Sequence, residues 1–142
     1  MAKDRDRKVA ALRRVALFRL CSDKELADIA GLADEASIKA GQVLTAEGKP
    51  GQECFVIADG SAEVTIRGEK IAIVGEGDAV GEMALLDTSP RSATVTALTD
   101  MQVFVLEPVA FGELLLRHPK VAKGMLVELA RRLREQEHAP RY

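Results

Sequence analysis

Five glycines, Gly41, Gly51, Gly60, Gly68 and Gly77, recur at intervals of 10, 9, 8 and 9 residues and divide the middle of the chain into short pieces. The pieces are β-rich: QVLTA, CFVIAD, SAEVTIR and KIAIVG. Within one of them Ala62, Val64 and Ile66 alternate with Glu63, Thr65 and Arg67, the period-two pattern of a strand with one buried face. Strands this short follow one another at regular spacing with glycine turns between them. They predict a jelly roll, sandwich or small barrel over residues 36–107, completed by SATVTAL and MQVFVLE.

Both flanks read as helical. Val9, Leu12, Ala16 and Leu20 lie at helical spacing, with arginines on the other face. Ser22 followed by Glu25 forms a capping box for a second helix, DKELADIAGL, with Gly31 as its stop. Beyond the roll, Pro108 suits a first helical turn, and VAFGELLLRH runs up to His118-Pro119. A last helix of about 120–137 carries Val121, Met125, Leu129 and Leu133 at every fourth position. The expected class is α+β, mainly β. Residues 1–33 form N-terminal helices, 34–107 the roll and 108–142 C-terminal helices, all one domain of ordinary size for 142 residues.

Charge narrows the function. Residues 1–20 carry seven Lys/Arg against two Asp, and 117–142 carry seven against three Glu, while the centre holds 6 basic and 17 acidic side chains. An acidic body repels polyanions, so no nucleic-acid partner is expected. The opening MAKDRDRKVA has no apolar run behind its charges, and no stretch approaches the roughly 18 apolar residues of a membrane span. Cys21 and Cys54 form no CxxC pair and suit a reducing, cytoplasmic setting.

Against that acidic background, GEMALLDTSPRSATV at 81–95 places an arginine nine residues after a glutamate. A short helix opening at Glu82 and running through Met83, Ala84 and Leu85 would aim unpaired amides at an anion. Gly81 would let a ligand approach the backbone. Arg91 can bind a phosphate through paired N–H donors, and Ser92 adds a hydroxyl. Glu82 would repel phosphate but can accept a hydrogen bond from a sugar hydroxyl. One cation with helix amides matches a single negative charge, as in a cyclic phosphodiester. Each residue also has a plainer role: Glu82 as a helix-start charge, Arg91 as its salt-bridge partner.

The segment resembles the phosphate-binding cassette of cyclic-nucleotide-binding domains, the family of protein kinase A regulatory subunits and catabolite activator proteins. The resemblance extends through ALFRLCSDKELADIA, GQVLTAEGKPGQECFVIADGSAEV and IAIVGEGDAVGEMALL, over roughly residues 15–135. It implies a double-stranded β-helix, or β-roll, that binds cAMP or cGMP. Arg91 would hold the cyclic phosphate and Glu82 the ribose 2′-hydroxyl. Amides around Ala84 and Leu85, with Ala93, would complete the phosphate shell, and Val64 and Ile71 would wall the base. Ser92 after the arginine leans towards cAMP, and Val80 replaces a common Phe. The resemblance further implies that Arg132, Gln136 and Glu137 could reach towards the ligand from the last helix, which in the family also serves as a lid or dimer seam. The nine residues after Leu133 leave no helix-turn-helix, so the expectation is a stand-alone sensor whose partner is an effector protein or a second copy. The alternative is a degenerate member acting as a nucleotide-independent interaction module.

Other chemistries find no residues. There is no GxxxxGK[ST], and GEGDAVG lacks both the spacing and the βαβ setting of a dinucleotide motif. Residues 36–107 contain no histidine, which removes a cupin-type metal site. His118 and His138 join no ligand cluster, and Cys54 reads as a packed thiol. No enzyme and no cofactor is expected.

Overall fold

In the computed structural model, which describes residues 2–137, helices flank two four-stranded antiparallel sheets. Helix α1 (Ala2–Arg13), a 3-10 turn (Ala16–Phe18) and α2 (Asp23–Ala30) lead into the strands. These are β1 (Asp34–Ile38), β2 (Val43–Thr45), β3 (Cys54–Asp59), β4 (Ala62–Ile66), β5 (Glu69–Val74) and β6 (Ala79–Val80). A second 3-10 turn (Glu82–Leu85) precedes β7 (Thr94–Ala97) and β8 (Met101–Leu106), and α3 (Pro108–Arg117) and α4 (Pro119–Glu137) close the chain. The sheet orders are β1-β8-β3-β6 and β2-β7-β4-β5, the two faces of the expected β-roll.

Sheet burial explains the strand compositions. On β3, Cys54 and Val56 face the helices while Phe55 and Ile57 face the opposite sheet; on β8, Phe104 and Leu106 face the helices while Met101 and Val103 face inward. A strand covered on both sides reads as a continuous apolar run, which is what CFVIAD and MQVFVLE show. Two strands escaped the glycine pattern. DEASI is β1, an edge strand with only partial burial, and Ala79–Val80 is too short to show any period.

The flanking helices depart from simple spacing in two places. The first helix stops at Arg13 instead of continuing to Leu20, which is 56 % exposed. The chain turns there so that the adjacent Leu17 and Phe18 both enter the helical core, with Phe18 against Phe111 at 5.8 Å between ring centroids. In α4, Val121 and Met125 are buried, but Leu133 is 63 % exposed. Four-residue spacing gains about 40° per step on a helix of 3.6 residues per turn, so the fourth member has left the buried face. Glu128 takes a buried place on that face instead. The capping box forms as read: the Glu25 amide donates to Ser22 Oγ at 3.2 Å, and the Ser22 amide donates to Glu25 Oε1 at 2.7 Å.

Gly60, in the β3–β4 connection, has φ +93°, and a Cβ there would lie 2.5 Å from the Asp100 carbonyl oxygen and 2.9 Å from Met101 Cγ. Met101 is buried at the centre of the roll. Gly60→Ala is therefore expected to cost roughly 2–4 kcal/mol in urea unfolding, from left-handed strain plus displacement of β8. A change below about 0.5 kcal/mol would contradict this packing.

Candidate functional site

Strand β6 ends at Gly81, which takes the left-handed conformation (φ 77°, ψ 23°) and starts the 3-10 turn Glu82–Leu85. The return segment DTSP is shaped by Asp87, whose Oδ1 accepts from the Ser89 amide and hydroxyl at 2.9 and 2.8 Å. These two bonds hold the Asp87 carboxyl below its ordinary range. The loop delivers Arg91 to the mouth of the roll, where its backbone is tied to the β2–β3 connection. Its amide donates to Lys49 O at 3.0 Å, and its carbonyl accepts from the Gly48 amide at 2.8 Å.

The Arg91 side chain does not point into solvent. It is only 9 % exposed and occupies a slot between two glycines. A Cβ on Gly51 would sit 2.8 Å from Arg91 Nε, and one on Gly81 would sit 2.4 Å from Nη1. Gly81 thus makes room for the protein's own guanidinium. Nη2 donates to Glu53 O at 2.8 Å. Nη1 is buried and has no hydrogen-bond partner among the described residues. A buried charged donor left unpaired costs roughly 1–3 kcal/mol or more, so this atom marks a place for an acceptor.

Two cavities meet at this arginine. One, of about 200 Å³, is floored by Val64, Val80 and Val95 and rimmed by Gly81, Ser92 and Ala93. The other, of about 160 Å³, lies under Met83, Ala84, Asp87 and Ser89. The geometry therefore brings Gly81, Met83, Ala84, Arg91, Ser92, Ala93 and Val64 together. Three residues named from the sequence line neither cavity. The Leu85 side chain packs into the helical core, which leaves the part expected of its amide a proposal, and Ile71 is 55 % exposed beside the β4–β5 bulge.

Glu82 is the third. It faces a neighbouring cavity of about 230 Å³, alongside Arg14 and Asp78, and lines neither cavity that contains Arg91. Its carboxylate is bound by α4, with Arg132 Nη1 3.0 Å from Oε1. The salt bridge open to Glu82 thus forms with Arg132, fifty residues on, and not with Arg91. Arg132 is held against Glu82 and lines neither cavity at Arg91, whereas the side chains of Gln136 and Glu137 lie outside the described residues.

Sequence reading missed Thr45, Gly51 and Glu53. Thr45 is buried in the larger cavity and donates its hydroxyl to Ala93 O at 3.0 Å; a threonine in a β-rich run carries no local sign of that. Cys54 sits behind the cassette. Burial above all, then Glu82, pushes its thiol up to about 12, and Arg91 acts in the opposite direction. His118 pairs with Asp28 at 3.2 Å, and the described residues contain no cluster of three metal-ligating side chains and no helix long and apolar enough to cross a membrane.

The site can seat a small anion on a preformed, desolvated guanidinium, with an apolar wall beside it for the rest of the ligand. Comparison with known proteins agrees with that chemistry. Residues 35–118 match the family model described as cyclic nucleotide-binding domain. The cAMP-dependent protein kinase regulatory subunit of Emericella nidulans is 36 % identical over 75 % of the chain, and the cGMP-dependent protein kinase egl-4 of Caenorhabditis briggsae is 31 % identical over 71 %. The chain spans only 26 % and 14 % of those two proteins. The crystal structure of the N-terminal domain of a transcriptional regulator from Streptomyces coelicolor A3(2) superposes with a TM-score of 0.84 at 32 % identity, covering 93 % of this chain and 98 % of that one. With β-roll, cassette and family model in agreement, this chain belongs to the cyclic nucleotide-binding domain family.

Proposed function

We propose that this domain is a regulatory cyclic-nucleotide sensor that prefers cAMP over cGMP and couples occupancy of the roll to the position of α4. The observation that carries the reading is Arg91 Nη1, a buried cationic donor without a partner among the described residues, on the arginine that lines two cavities of nucleotide-fragment size. A cyclic phosphate would supply its acceptor. Amides near Ala84 and Ala93 would share the phosphate, and Val64 would face the ligand's apolar side. Ser92 beside the arginine leans the selectivity towards cAMP.

The coupling follows from Glu82. To accept from a ribose hydroxyl in the Arg91 cavity, its carboxylate must turn from the neighbouring cavity and loosen Arg132. The ligand then shifts α4 by the difference in its affinity for the bridged and released arrangements. Arg132→Ala removes the competitor, so cAMP binding is expected to tighten about three- to tenfold, the worth of a partly exposed ion pair of ~1 kcal/mol. Weaker binding in that variant, read by calorimetry, would mean that Arg132 assists the ligand instead.

The released helix would signal to an effector protein or a second copy of the chain through its outer face, where Leu126 and Leu133, seven residues apart, are 66 % and 63 % exposed. Neither free thiol is arranged for exchange, which suits a reducing cytoplasm. A second reading rests on the same ion pair. If Glu82 serves only as the anchor for Arg132, the domain is a nucleotide-independent interaction module. Calorimetric titration of nucleotide-free protein separates the two. Saturable binding with cAMP tighter than cGMP supports the sensor, and no heat from either nucleotide in folded protein supports the module.

A further inference from the structure

The buried face of α4 contains a charge where its pattern calls for an apolar residue. Val121, Met125 and Glu128 follow one another down that face, and Glu128 is only 3 % exposed. A carboxylate is kept out of water at a cost of several kcal/mol unless it is paired and hydrogen-bonded. Here Arg131 supplies the pairing, with Nη2 donating to Oε1 at 2.5 Å and Nε to Oε2 at 3.3 Å. That bond, opposed by burial and aided by the charges of Arg131, Arg19 and Arg132, holds the Glu128 carboxyl below its ordinary range, so it is ionised at neutral pH.

Arg131 does not need Glu128 alone, since it also pairs with Glu135. The less settled contact is with Arg132. Its Nη1 is bound to Glu82, while its Nε stands 3.9 Å from Glu128 Oε1, beyond hydrogen-bond distance but within ion-pair range. A carboxylate oxygen can accept more than one donor, and among the described residues Oε1 accepts only from Arg131. A movement of about 1 Å would bring Nε into hydrogen-bonding range. One guanidinium therefore lies between two carboxylates, bonded to the cassette and poised over the helix.

We infer that Glu128 is a positioning residue for the nucleotide site, the partner to which Arg132 transfers when Glu82 turns to the ligand. The inference rests on the sensor reading given above. Without Glu128, a released Arg132 would have lost one carboxylate and gained none. Release would cost more, and the nucleotide would bind more weakly. The effect must pass through Arg132, which separates it from a general loosening of α4.

The test is a double-mutant cycle read by calorimetric titration with cAMP. Glu128→Gln keeps the volume and an acceptor oxygen but removes the charge. It is expected to weaken cAMP binding about fivefold or more in the native background and by less than about twofold when Arg132 is alanine, within the usual span of coupling between sites. Equal losses in both backgrounds would make Glu128 a purely structural residue and overturn the inference. So would an unchanged affinity in the native background. Should Glu128→Gln fail to fold, Glu128→Asp withdraws the carboxylate by one methylene. A smaller loss dependent on Arg132 is then expected, and none would count against the transfer. The native protein and Arg91→Ala are titrated alongside. If the native chain takes up no cAMP, or Arg91→Ala binds as well as the native chain, the sensor reading itself fails and this inference fails with it.

Discussion

Arg91→Ala is expected to weaken cAMP binding by two to three orders of magnitude while leaving the domain folded. The guanidinium can give a phosphate paired, charge-assisted bonds of roughly 1.5–3 kcal/mol each, and about 1.4 kcal/mol is a factor of ten in affinity. Its seat is already desolvated and already fixed by Glu53 O, Gly51 and Gly81, so little reorganisation offsets that gain. Stability should respond differently. The alanine variant loses the bond to Glu53 O and some packing, but it also removes a buried donor with no partner. These effects oppose each other, and the nucleotide-free midpoint should move by only a few degrees. Ligand binding adds about 2.7 kcal/mol of stability at a hundred times Kd, so cAMP should raise the thermal midpoint of the native domain and not that of the variant. Arg91→Lys should fall between, because an ammonium keeps the charge but not the planar fork. Undiminished cAMP binding by Arg91→Ala would show that the anion sits elsewhere.

Much of this could be read from the chain because it was written locally. Turn glycines at nearly equal intervals announce a roll, and the capping box at Ser22 announces α2. Pairings between distant segments could not be read. Arg91 reaches Glu53 across 38 residues, and Glu82 reaches Arg132 across fifty. No period or turn signal carries such information. Gly81 shows the difference. Its lack of a side chain was legible as room for a ligand, whereas the nearest claimant on that room is the Arg91 guanidinium. Glu128 was hidden for a related reason. Counting leucines and methionines at every fourth position follows a line that drifts off the helix's buried face, and the residue that replaces them there is charged.

Gly81→Ala tests that local geometry most severely, and it is expected to reduce both stability and binding. An alanine at φ 77° pays roughly 1 kcal/mol for the left-handed conformation. Its Cβ would lie 2.4 Å from Arg91 Nη1 and 2.9 Å from Glu53 O. The first contact is with the end of a flexible side chain, which can withdraw. The second is with backbone, which cannot do so cheaply, so the two strains add to roughly 1–3 kcal/mol in urea unfolding. Withdrawal carries the Arg91 guanidinium out of its seat and breaks its bond to Glu53 O, so cAMP affinity should fall about ten- to a hundredfold. Gly51→Ala provides the internal control. Gly51 is not in the left-handed region, and the three atoms nearest its Cβ would all belong to the Arg91 side chain, with Nε at 2.8 Å. It should therefore lose affinity with little loss of stability. If Gly81→Ala is destabilised but still binds cAMP like the native protein, the guanidinium does not need its slot to hold the ligand. If Gly51→Ala also binds normally, the slot between the two glycines is only packing, and the unpartnered Nη1 has no part in recognition.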